Sequence, residues 1–532
     1  MQVTQAAQVT YEAFSQFSRP LMLLLALLLG ACAGLPQRPA LAPEMALQDT
    51  GDTVLARGLA PKLAAHPGQS AFYPLLSGTD ALAMRIALAR TAQRSLDIQY
   101  YIFDADDTGL TLLAEIMAAA DRGVRVRVLL DDIHLARQDA ALSAVDAHPN
   151  VEIRLFNPFA SRNVRLLEYA SDFRRINRRM HNKSMTADNQ LTIVGGRNIG
   201  DQYYGAAETD FTDLDLLAAG PVVPQVSAVF DDFWNSEAAY PLSALAKPLS
   251  GNEAATQQQK LRTYLDEHAV SMRDTPYGKS VLETGIVQLL RDNRLPEYWG
   301  NASVIADRAA KVQLPPEDDS THAIPKLIKV LEGARHDLTL ISPYFVPGEA
   351  GMKWLTDMQK RGVQVRILTN SYGATDVSAV HAGYAPKRKA LLEAGVILYE
   401  LKPTAYAEMA KQKRQRGPGG SSRASLHAKT YMVDRHELFI GSLNLDPRSA
   451  RLNTEMGIVV DSQALCDMLG QGVDDALLDA AYQVVLSEDG KSLQWITREN
   501  GVLRTYTSEP DMNGWDKFKQ GVLRMLPVEE QL

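Results

Sequence analysis

Two copies of one short pattern hold the residues of this chain that are best suited to catalysis. Each copy has a histidine, a lysine two positions later, an aspartate and then an asparagine: His181, Lys183, Asp188 and Asn198, followed by His427, Lys429, Asp434 and Asn444. Every matched pair is separated by 246 positions (427 minus 181). A repeat at one fixed offset indicates either a duplicated domain or two halves that meet at one composite site.

The spacing within a copy favours the composite site. Side chains two positions apart on a strand point to the same face, so His-x-Lys places an imidazole beside an ammonium group. The apolar residues 191–194 predict a second buried strand, and the glycines that follow predict a tight turn that brings the amide of Asn198 close. Two such copies facing each other would place two histidines on opposite sides of one anionic substrate.

The chemistry that such a site suits is displacement at the phosphorus atom of a phosphodiester. Phosphoryl oxygens need fixed positive charge and hydrogen-bond donors, and an in-line displacement needs groups on both sides of phosphorus. One histidine would attack to form a phosphohistidine, while the other protonates the leaving alcohol and then deprotonates the acceptor. This route predicts no metal ion and no cofactor.

The paired pattern resembles the phospholipase D superfamily and, within it, the bacterial cardiolipin synthases, most closely their C-type branch. Four further segments extend the resemblance over residues 73–526: 98–102, 122–126, 211–215 and 453–455. The resemblance implies an α/β fold of two α/β/α sandwich domains, related by internal duplication, with one composite active site at their interface.

The resemblance also assigns roles to single residues. It gives phosphate binding to the paired histidines, lysines and asparagines, and it places a downstream acid against each imidazole. By position, Asp213 would serve His181 and Glu455 would serve His427. A carboxylate on the second ring nitrogen would fix the tautomer and stabilise the imidazolium.

The remaining candidates have a structural interpretation beside the chemical one. Asp188 and Asp434 belong to the repeated pattern, but they are at least as well interpreted as scaffold residues that accept hydrogen bonds. Six residues are predicted to bind substrate: Asn198, Asn444, Tyr101, Asp376, His381 and Tyr384. The last three lie in a polar segment predicted to follow the carboxyl end of a strand, where sites form in α/β sheets. A purely structural role is the favoured interpretation of His381, so these three residues are candidates only.

Strands alternate with helices in both halves, which predicts parallel sheets covered by helices. The resulting organisation has an export segment, a tether, two domains separated by a helical linker, and an amphipathic tail: residues 1–32, 33–67, 68–245, 246–322, 323–500 and 501–532. In the tail, apolar residues recur at helical spacing, and docking of this face on the protein is favoured over membrane insertion: Trp515, Phe518, Val522, Met525 and Leu526.

The first residues predict export from the cytoplasm. The apolar run 21–29 is far short of the ~20 residues that span a bilayer, and small residues follow it, as in a secretory signal. Residues 29–32 also resemble a bacterial lipoprotein box, in which Cys32 would be lipidated and would anchor the protein in the cell envelope. An ordinary cleaved signal and a start assigned too early are the alternatives.

Composition limits the partners. The chain of 532 residues is 46% hydrophobic and 22% charged, as in ordinary globular proteins, and its net charge is −8. No nucleic-acid partner is expected, because nucleic-acid binding usually needs a basic surface. Phospholipids and an anionic membrane surface are the predicted partners, and a protein partner stays open. Two basic runs, 174–179 and 411–416, are interpreted either as solvated segments or as contacts to anionic headgroups.

Three functions from different classes remain. The first is transfer of a phosphatidyl group from a phospholipid donor, phosphatidylglycerol or phosphatidylethanolamine, to phosphatidylglycerol, which yields cardiolipin. The second is phospholipase D-type hydrolysis with water as acceptor, with nuclease activity a less favoured variant. The third is an inactive membrane-binding module, which the intact residues of both motifs disfavour. The C-type resemblance, and not the spacing, favours the transferase.

Overall fold

The computed structural model describes residues 34–162, 165–292, 294–405 and 423–525. The predictions for Cys32, for the basic run 411–416 and for Leu526 lie outside these ranges. Within them, no helix combines the length and the apolar character that crossing a membrane would need.

Twenty strands build the framework of the described chain. Those before residue 307 are β1 (Ser70–Leu75), β2 (Ser95–Tyr100), β3 (Arg125–Asp131), β4 (Val151–Phe156), β5 (Ser184–Ala187), β6 (Leu191–Gly195), β7 (Thr209–Thr212), β8 (Asp215–Ala219), β9 (Ala239–Pro241) and β10 (Tyr298–Ala306). The later ones are β11 (Asp337–Ile341), β12 (Gln364–Asn370), β13 (Ile397–Leu401), β14 (Arg423–Leu426), β15 (Lys429–Val433), β16 (Glu437–Gly441), β17 (Met456–Asp461), β18 (Ala481–Leu486), β19 (Leu493–Glu499) and β20 (Val502–Tyr506).

Helices cover the two faces of this framework. In the first half they are Val54–Ala65, Gly78–Thr91, Asp107–Asp121, Asp139–Asp146, Arg165–Ser171, Phe173–Ile176, Asp201–Tyr204, Val222–Trp234 and Leu242–Leu245. The connecting region contributes Gly251–Asp274, Pro276–Leu282 and Gly285–Arg291. The second half contributes Ile324–Leu331, Gly348–Lys360, Ser378–Tyr384, Arg388–Glu393, Pro447–Arg451, Gln463–Ala480 and Gly514–Met525.

Eighteen of the strands pair into one sheet that runs through both halves. Its order is β9-β4-β3-β2-β5-β6-β8-β1-β10-β17-β16-β15-β11-β12-β13-β18-β19-β20. The order β4-β3-β2-β5-β6-β8 in the first half repeats as β13-β12-β11-β15-β16-β17 in the second. The predicted α/β fold and internal duplication are therefore confirmed.

The sheet is less parallel than the sequence predicted. Only β2, β3 and β4, and their counterparts β11, β12 and β13, run parallel to one another. The strands that carry the repeated motifs return as antiparallel hairpins, β5–β6 and β15–β16. These hairpins reverse through two left-handed residues each, Asp188-Asn189 and Asp434-Arg435, at φ between 49° and 53°. Because two adjacent apolar strands look alike in sequence whatever their direction, the hairpins were not distinguished from parallel strands.

Residues 34–67 are not the loose tether that their composition suggested. The amide of Ala46 donates to Asp231 Oδ2 (2.8 Å), and the amide of Glu44 donates to Asn235 Oδ1 (2.9 Å). The helix Val54–Ala65 follows, with the Thr53 hydroxyl accepting from its first turn. The segment therefore packs on the first half through isolated polar contacts, which leave no periodic signal in the sequence.

The linker 246–322 was predicted to be mostly helix and loop, and strand β10 is a correction to that prediction. β10 pairs with β1 on one side and with β17 on the other, so it joins the sheets of the two halves. Gly300, Asn301 and Ser303 dilute the apolar alternation by which strands are recognised. Apolar side chains from both halves pack together beside this junction, among them Val194, Leu216, Ile440 and Ile458.

The arginine run that precedes His181 is not a free basic surface. Arg179 is fully buried, and its Nη1 lies 3.0 Å from Asp131 Oδ1. Arg175 pairs with Asp172 (2.6 Å) and Glu168, while Arg178 donates to main-chain carbonyl groups. Both interpretations offered for this run, a solvated helix face and a headgroup contact, are therefore wrong for these three arginines.

Candidate active site

The two motif histidines are both buried, and each is attached through its main chain to the other half of the molecule. The amide of His181 donates to the carbonyl of Thr454 (2.9 Å), and the amide of His427 donates to the carbonyl of Thr212 (2.8 Å). Around the second contact, β14 and β7 pair in parallel across the interface. Each half thus holds the histidine of the other in place.

The side chain of each histidine likewise contacts an acid from the other half. His181 Nδ1 lies 2.9 Å from Glu455 Oε2, and His427 Nδ1 lies 2.6 Å from Asp213 Oδ2. The predicted pairing of acids with histidines was therefore reversed. The physical reason is that each acid directly follows the threonine whose carbonyl receives the histidine of the other half.

These contacts determine the tautomer of both rings. Because Nδ1 donates to a carboxylate, Nε2 carries the lone pair that a displacement at phosphorus requires. Burial lowers the pKa of His181 well below its ordinary value, and the charges of Lys183 and Lys429 lower it further. His181 is therefore a neutral imidazole at physiological pH. The contact of each histidine with the acid of the other half places both motifs at one interface.

The two lysines occupy equivalent positions in the two halves. Each Nζ donates to the main-chain carbonyl of its own motif histidine, Lys183 to His181 (2.6 Å) and Lys429 to His427. Both are buried, and burial lowers the pKa of both ammonium groups. Fixed, desolvated cations of this kind stabilise negative charge on phosphoryl oxygens more strongly than solvated ones.

The acids that contact the histidines differ in their electrostatic state. Burial by itself would raise the pKa of Asp213, but the charge and hydrogen bond of His427 lower it to about 2. Burial raises the pKa of Glu455 to about 7, against the opposing effects of Lys183 and of the Ser442 and Ser449 hydroxyls. At neutral pH Asp213 is ionised, whereas the protonated and ionised forms of Glu455 are both populated.

Sequence reasoning missed a set of residues that support Glu455. The Ser449 hydroxyl donates to its Oε1 (2.8 Å), and the Ser442 hydroxyl donates to its Oε2. The amide of Glu455 donates to Asp307 Oδ2 (2.7 Å), which also receives Lys311 Nζ (3.0 Å). Asp307 lies immediately after β10, so only recognition of that strand could have pointed to it.

One residue in each half holds the main chain of the residue that directly precedes the motif histidine. Asp131 Oδ2, at the end of β3, accepts from the amide of Met180 (2.8 Å). Asn370, at the end of β12, brackets the main chain of Leu426, accepting from its amide at 2.8 Å and donating to its carbonyl at 3.0 Å. Residues 122–127 (RGVRVR) and 361–366 (RGVQVR) are nearly identical and lead into β3 and β12, so aligning these two segments could have identified the pair.

Aromatic rings surround both imidazoles. Tyr101 contacts the His181 ring edge-on, with centroids 5.1 Å apart, and the Lys183 Nζ lies 5.4 Å from the same ring. Tyr203 and Phe211 contact His427 at 5.2 and 5.0 Å. The structure thus brings Tyr101 to the site as predicted, while the role of Tyr203 was missed.

The two motif asparagines are close to the site, but their surroundings differ. Asn198 Oδ1 accepts from the amide of Ile102 (3.2 Å), and its Nδ2 donates to the Tyr203 hydroxyl (2.8 Å). Asn444 is also buried, and its Oδ1 has no hydrogen-bond partner among the residues that the structure describes. The Asn198 amide is thus engaged by the protein, whereas the Asn444 amide keeps capacity for a ligand.

The second-half candidates separate into two places. Asp376 is exposed, accepts from the Tyr344 hydroxyl (2.7 Å), and its charge acts on Lys429 and Tyr203, so it lies at the edge of the cleft. His381 and Tyr384 do not face the site. His381 Nε2 lies 2.7 Å from Glu509, and the Tyr384 hydroxyl donates to Glu400 (3.0 Å). The prediction that these two bind substrate is therefore wrong.

The repeated aspartates hold the scaffold. Asp188 Oδ1 accepts from the amides of Arg94 (2.7 Å) and Ser95 (3.0 Å), and its Oδ2 accepts from Gln93 (3.0 Å). Asp434 accepts from three consecutive amides, 335–337, in the same way. Each aspartate thereby ties its hairpin turn to the start of a neighbouring parallel strand, away from the imidazoles.

Replacing Asp188 with alanine is therefore expected to lower the stability of the fold and to leave catalysis unchanged. Three amides lose their acceptor and alanine must adopt a positive φ, so the free energy of unfolding should fall by about 3–5 kcal/mol. Asp188→Asn, which keeps one acceptor oxygen and tolerates this φ, should lose less. Denaturant titration measures the change, and activity per folded molecule should stay near that of the wild type. A folded Asp188→Ala protein without activity would instead assign this residue a chemical role.

Comparisons with known proteins agree with this geometry. The sequence matches the family described as "Cardiolipin synthase, PLD-like domain" twice, over residues 86–234 and 327–474. It is 41% identical to cardiolipin synthase C of Escherichia coli strain K12 over 477 residues, covering 89% of this chain and 99% of that protein. It is 31% identical to an uncharacterised protein of Helicobacter pylori strain 26695 over 503 residues, covering 94% and 97% of the two chains.

A similar fold is present in the crystal structure of phosphatidylserine synthase from Haemophilus influenzae Rd KW20. The TM-score is 0.53 at 13% sequence identity, and the match covers 87% of this chain and 95% of that one. At this identity the likeness concerns the arrangement of the two halves, which supports the duplicated architecture described above.

Proposed function

The chain belongs to the cardiolipin synthase, PLD-like domain family, and we propose that it is a phosphatidyltransferase that forms cardiolipin through a phosphohistidine. The donor is phosphatidylglycerol or phosphatidylethanolamine, and the acceptor is the glycerol headgroup of a second phosphatidylglycerol. The observation that carries the proposal is the exchange of acids between the halves, His181 with Glu455 and His427 with Asp213. This exchange supports one site with a histidine on each side of phosphorus.

We assign the nucleophile to His181 and the acid–base role to His427. Burial and the charge of Lys429 lower the pKa of His427 as well, but Asp213, whose low pKa keeps it ionised, opposes that shift and stabilises the imidazolium that forms when His427 holds a proton. His181 contacts Glu455, whose raised pKa of about 7 gives weaker support for a protonated ring. A neutral ring is what attack at phosphorus requires, and a chargeable ring is what proton transfer requires.

The reaction then balances in two steps. In the first step, His181 Nε2 forms a bond to phosphorus and the bond from phosphorus to the headgroup oxygen breaks, while His427 donates a proton to that oxygen. In the second step, His427 removes a proton from the glycerol hydroxyl of phosphatidylglycerol. That oxygen attacks phosphorus and releases His181. Lys183 and Lys429 stabilise the negative oxygens throughout.

A product assay distinguishes transfer from hydrolysis, which uses the same residues with water as acceptor. Purified protein is incubated with labelled phosphatidylglycerol, with and without phosphatidylethanolamine, and the lipids are separated. The proposal expects cardiolipin that disappears in a His181→Ala variant. Phosphatidic acid as the sole product would contradict the transferase and favour a phospholipase D-type hydrolase.

Attachment to the cell envelope through a lipidated Cys32 is part of this proposal. It rests on residues 29–32 and on the small residues before the cysteine. Mass spectrometry of protein purified from membranes should find a mature N-terminus at Cys32 carrying acyl chains, and a Cys32→Ser variant should lose them. An N-terminus at another residue, or an unmodified cysteine, would contradict the anchor.

A further inference from the structure

The apolar face of the helix Gly514–Met525 is exposed to solvent. Trp515, Phe518 and Val522 are 64%, 60% and 44% exposed, and at 3.6 residues per turn they form one stripe along the helix. The rings of Trp515 and Phe518 are stacked, with centroids 5.4 Å apart. We call these three residues the apolar stripe. The prediction that this face would dock on the protein is wrong.

The opposite face of the helix attaches it to the second half. Gln520 is 1% exposed and its Nε2 donates to the carbonyl of Ser378 (3.1 Å). Burial and the neighbouring Asp516 carboxylate raise the pKa of the Tyr372 phenol. A helix that docks by polar side chains and leaves its aromatic residues in solvent is the reverse of an ordinary surface helix, in which the apolar face covers the core.

Cations lie on the exposed parts of this helix. Lys519 borders the apolar stripe, with its Nζ 5.7 Å from the Trp515 ring. Lys517 and Arg524 lie roughly 130° and 150° around the helix from the centre of the stripe, counting about 100° per residue, and all three side chains are exposed. Three exposed cations on one helix give it a local positive charge on a chain whose net charge is −8. Aromatic residues at headgroup depth, with lysine and arginine reaching up to lipid phosphates, characterise helices that lie in a membrane interface.

The position of the helix connects it to the candidate active site. It packs on the helix Ser378–Tyr384, through the Gln520 contact to Ser378. Two residues before Ser378 lies Asp376, which accepts from Tyr344 and whose charge acts on Lys429. The helix that carries the apolar stripe therefore packs on the segment that includes Asp376, with the stripe turned away from that segment toward solvent.

We propose that the apolar stripe, with Lys519 beside it, is the surface by which this protein binds an anionic phospholipid bilayer next to its active site. The inference rests on the proposed function, because it takes the substrate to be a bilayer lipid. The stripe enters the level of the headgroups and upper acyl chains, Lys519 contacts headgroup phosphates, and Lys517 and Arg524 add to the positive charge of the helix near the membrane. This surface acts in addition to any anchor at Cys32.

Tryptophan quenching tests the stripe directly, whatever else holds the protein on the membrane. The full-length protein is mixed with vesicles of phosphatidylglycerol and phosphatidylcholine whose acyl chains carry bromine near the headgroup. The fluorescence of Trp515 is obtained as the difference between the wild type and Trp515→Phe, and this fluorescence should be quenched. If that emission is not quenched, whether because the protein does not bind or because another surface covers Trp515, the proposal is overturned.

Variants test the energetic contribution of the stripe and of its cations. Phe518→Ser/Val522→Ser should weaken vesicle binding roughly ten-fold, as expected for the loss of two apolar side chains from the interface. Lys517→Gln/Lys519→Gln/Arg524→Gln should remove the preference for phosphatidylglycerol vesicles over phosphatidylcholine vesicles. The matched control is Tyr264→Ser/Val270→Ser on the helix Gly251–Asp274, whose side chains are 54% and 62% exposed, and it should bind like wild type. Equal losses in the control and the stripe variant would contradict a specific surface.

Failure of this inference can be told apart from failure of the proposed function. A short-chain phosphatidylglycerol below its micelle concentration needs no bilayer, so the stripe variants should convert it at the wild-type rate. Normal turnover in solution together with unquenched Trp515 overturns the membrane surface and leaves the enzyme intact. Quenched Trp515 in a protein that forms no cardiolipin supports the membrane surface and overturns the proposed function.

Discussion

Replacing His181 with asparagine is expected to lower kcat for cardiolipin formation by about 10⁴-fold or more. The variant loses the atom that bonds to phosphorus, and no other described group can take its place. The kcat of His427→Asn should fall to a similar extent, because proton transfer to the leaving oxygen is lost. The double variant should be hardly worse than either single one, since both histidines act in one reaction. Initial rates with labelled phosphatidylglycerol measure all three.

A donor with a good leaving group separates the two roles. Such a donor needs no acid to depart, so His427→Asn should still form the phosphohistidine with it, whereas His181→Asn should not. Thermal unfolding near the wild-type midpoint serves as the folding control. If both single variants kept substantial turnover, the two halves would be working as separate sites and the composite site would be contradicted.

Replacing Asp213 with asparagine is expected to lower kcat about 10²–10⁴-fold, because His427 loses the carboxylate that fixes its tautomer and stabilises its charged form. The pKa of Asp213 is lowered to about 2, so the wild-type side chain is ionised at every pH at which the enzyme works. The deficit of Asp213→Asn should therefore be the same from pH 5 to pH 9.

Glu455→Gln should behave differently. The pKa of Glu455 is raised to about 7, so its wild-type side chain is mostly protonated below that pH and ionised above it. Glutamine imitates the protonated acid, so the deficit should be small near pH 5 and should grow as the pH rises through 7. A pH profile of kcat/KM for both variants measures this. A pH-independent deficit in Glu455→Gln, or an active Asp213→Asn enzyme, would contradict the assigned roles.

The sequence predicted the paired motifs because their spacing within each half is set by local structure. A strand carries His-x-Lys, a hairpin turn carries the aspartate, and the next strand leads to the asparagine, so the offset survives without gaps. The partner acids were assigned to the wrong histidines, because the choice between Asp213 and Glu455 depends on how the halves face each other. That orientation is determined by β10 and by apolar packing between distant segments, which local patterns do not encode.

Contacts between residues far apart in the sequence explain the other misplaced residues. His381 was predicted to face the substrate because it follows a parallel strand, yet it contacts Glu509, far along the chain. No sequence pattern near His381 indicates that Glu509 is its partner. The helix Gly514–Met525 shows the same limit: its period predicts an apolar face, but only the Gln520 contact to Ser378 reveals which face is turned outward.

Identification of the covalent intermediate tests whether His181 is the residue that attacks phosphorus. Turnover of phosphatidylglycerol is stopped on the millisecond scale, and the protein is digested under conditions that preserve phosphohistidine and mapped by mass spectrometry. We expect a phosphatidyl group on His181, its absence in His181→Asn, and its release as cardiolipin when unlabelled phosphatidylglycerol is added. Cardiolipin formation with no modified protein, or a phosphatidyl group on a residue other than His181, would contradict this assignment.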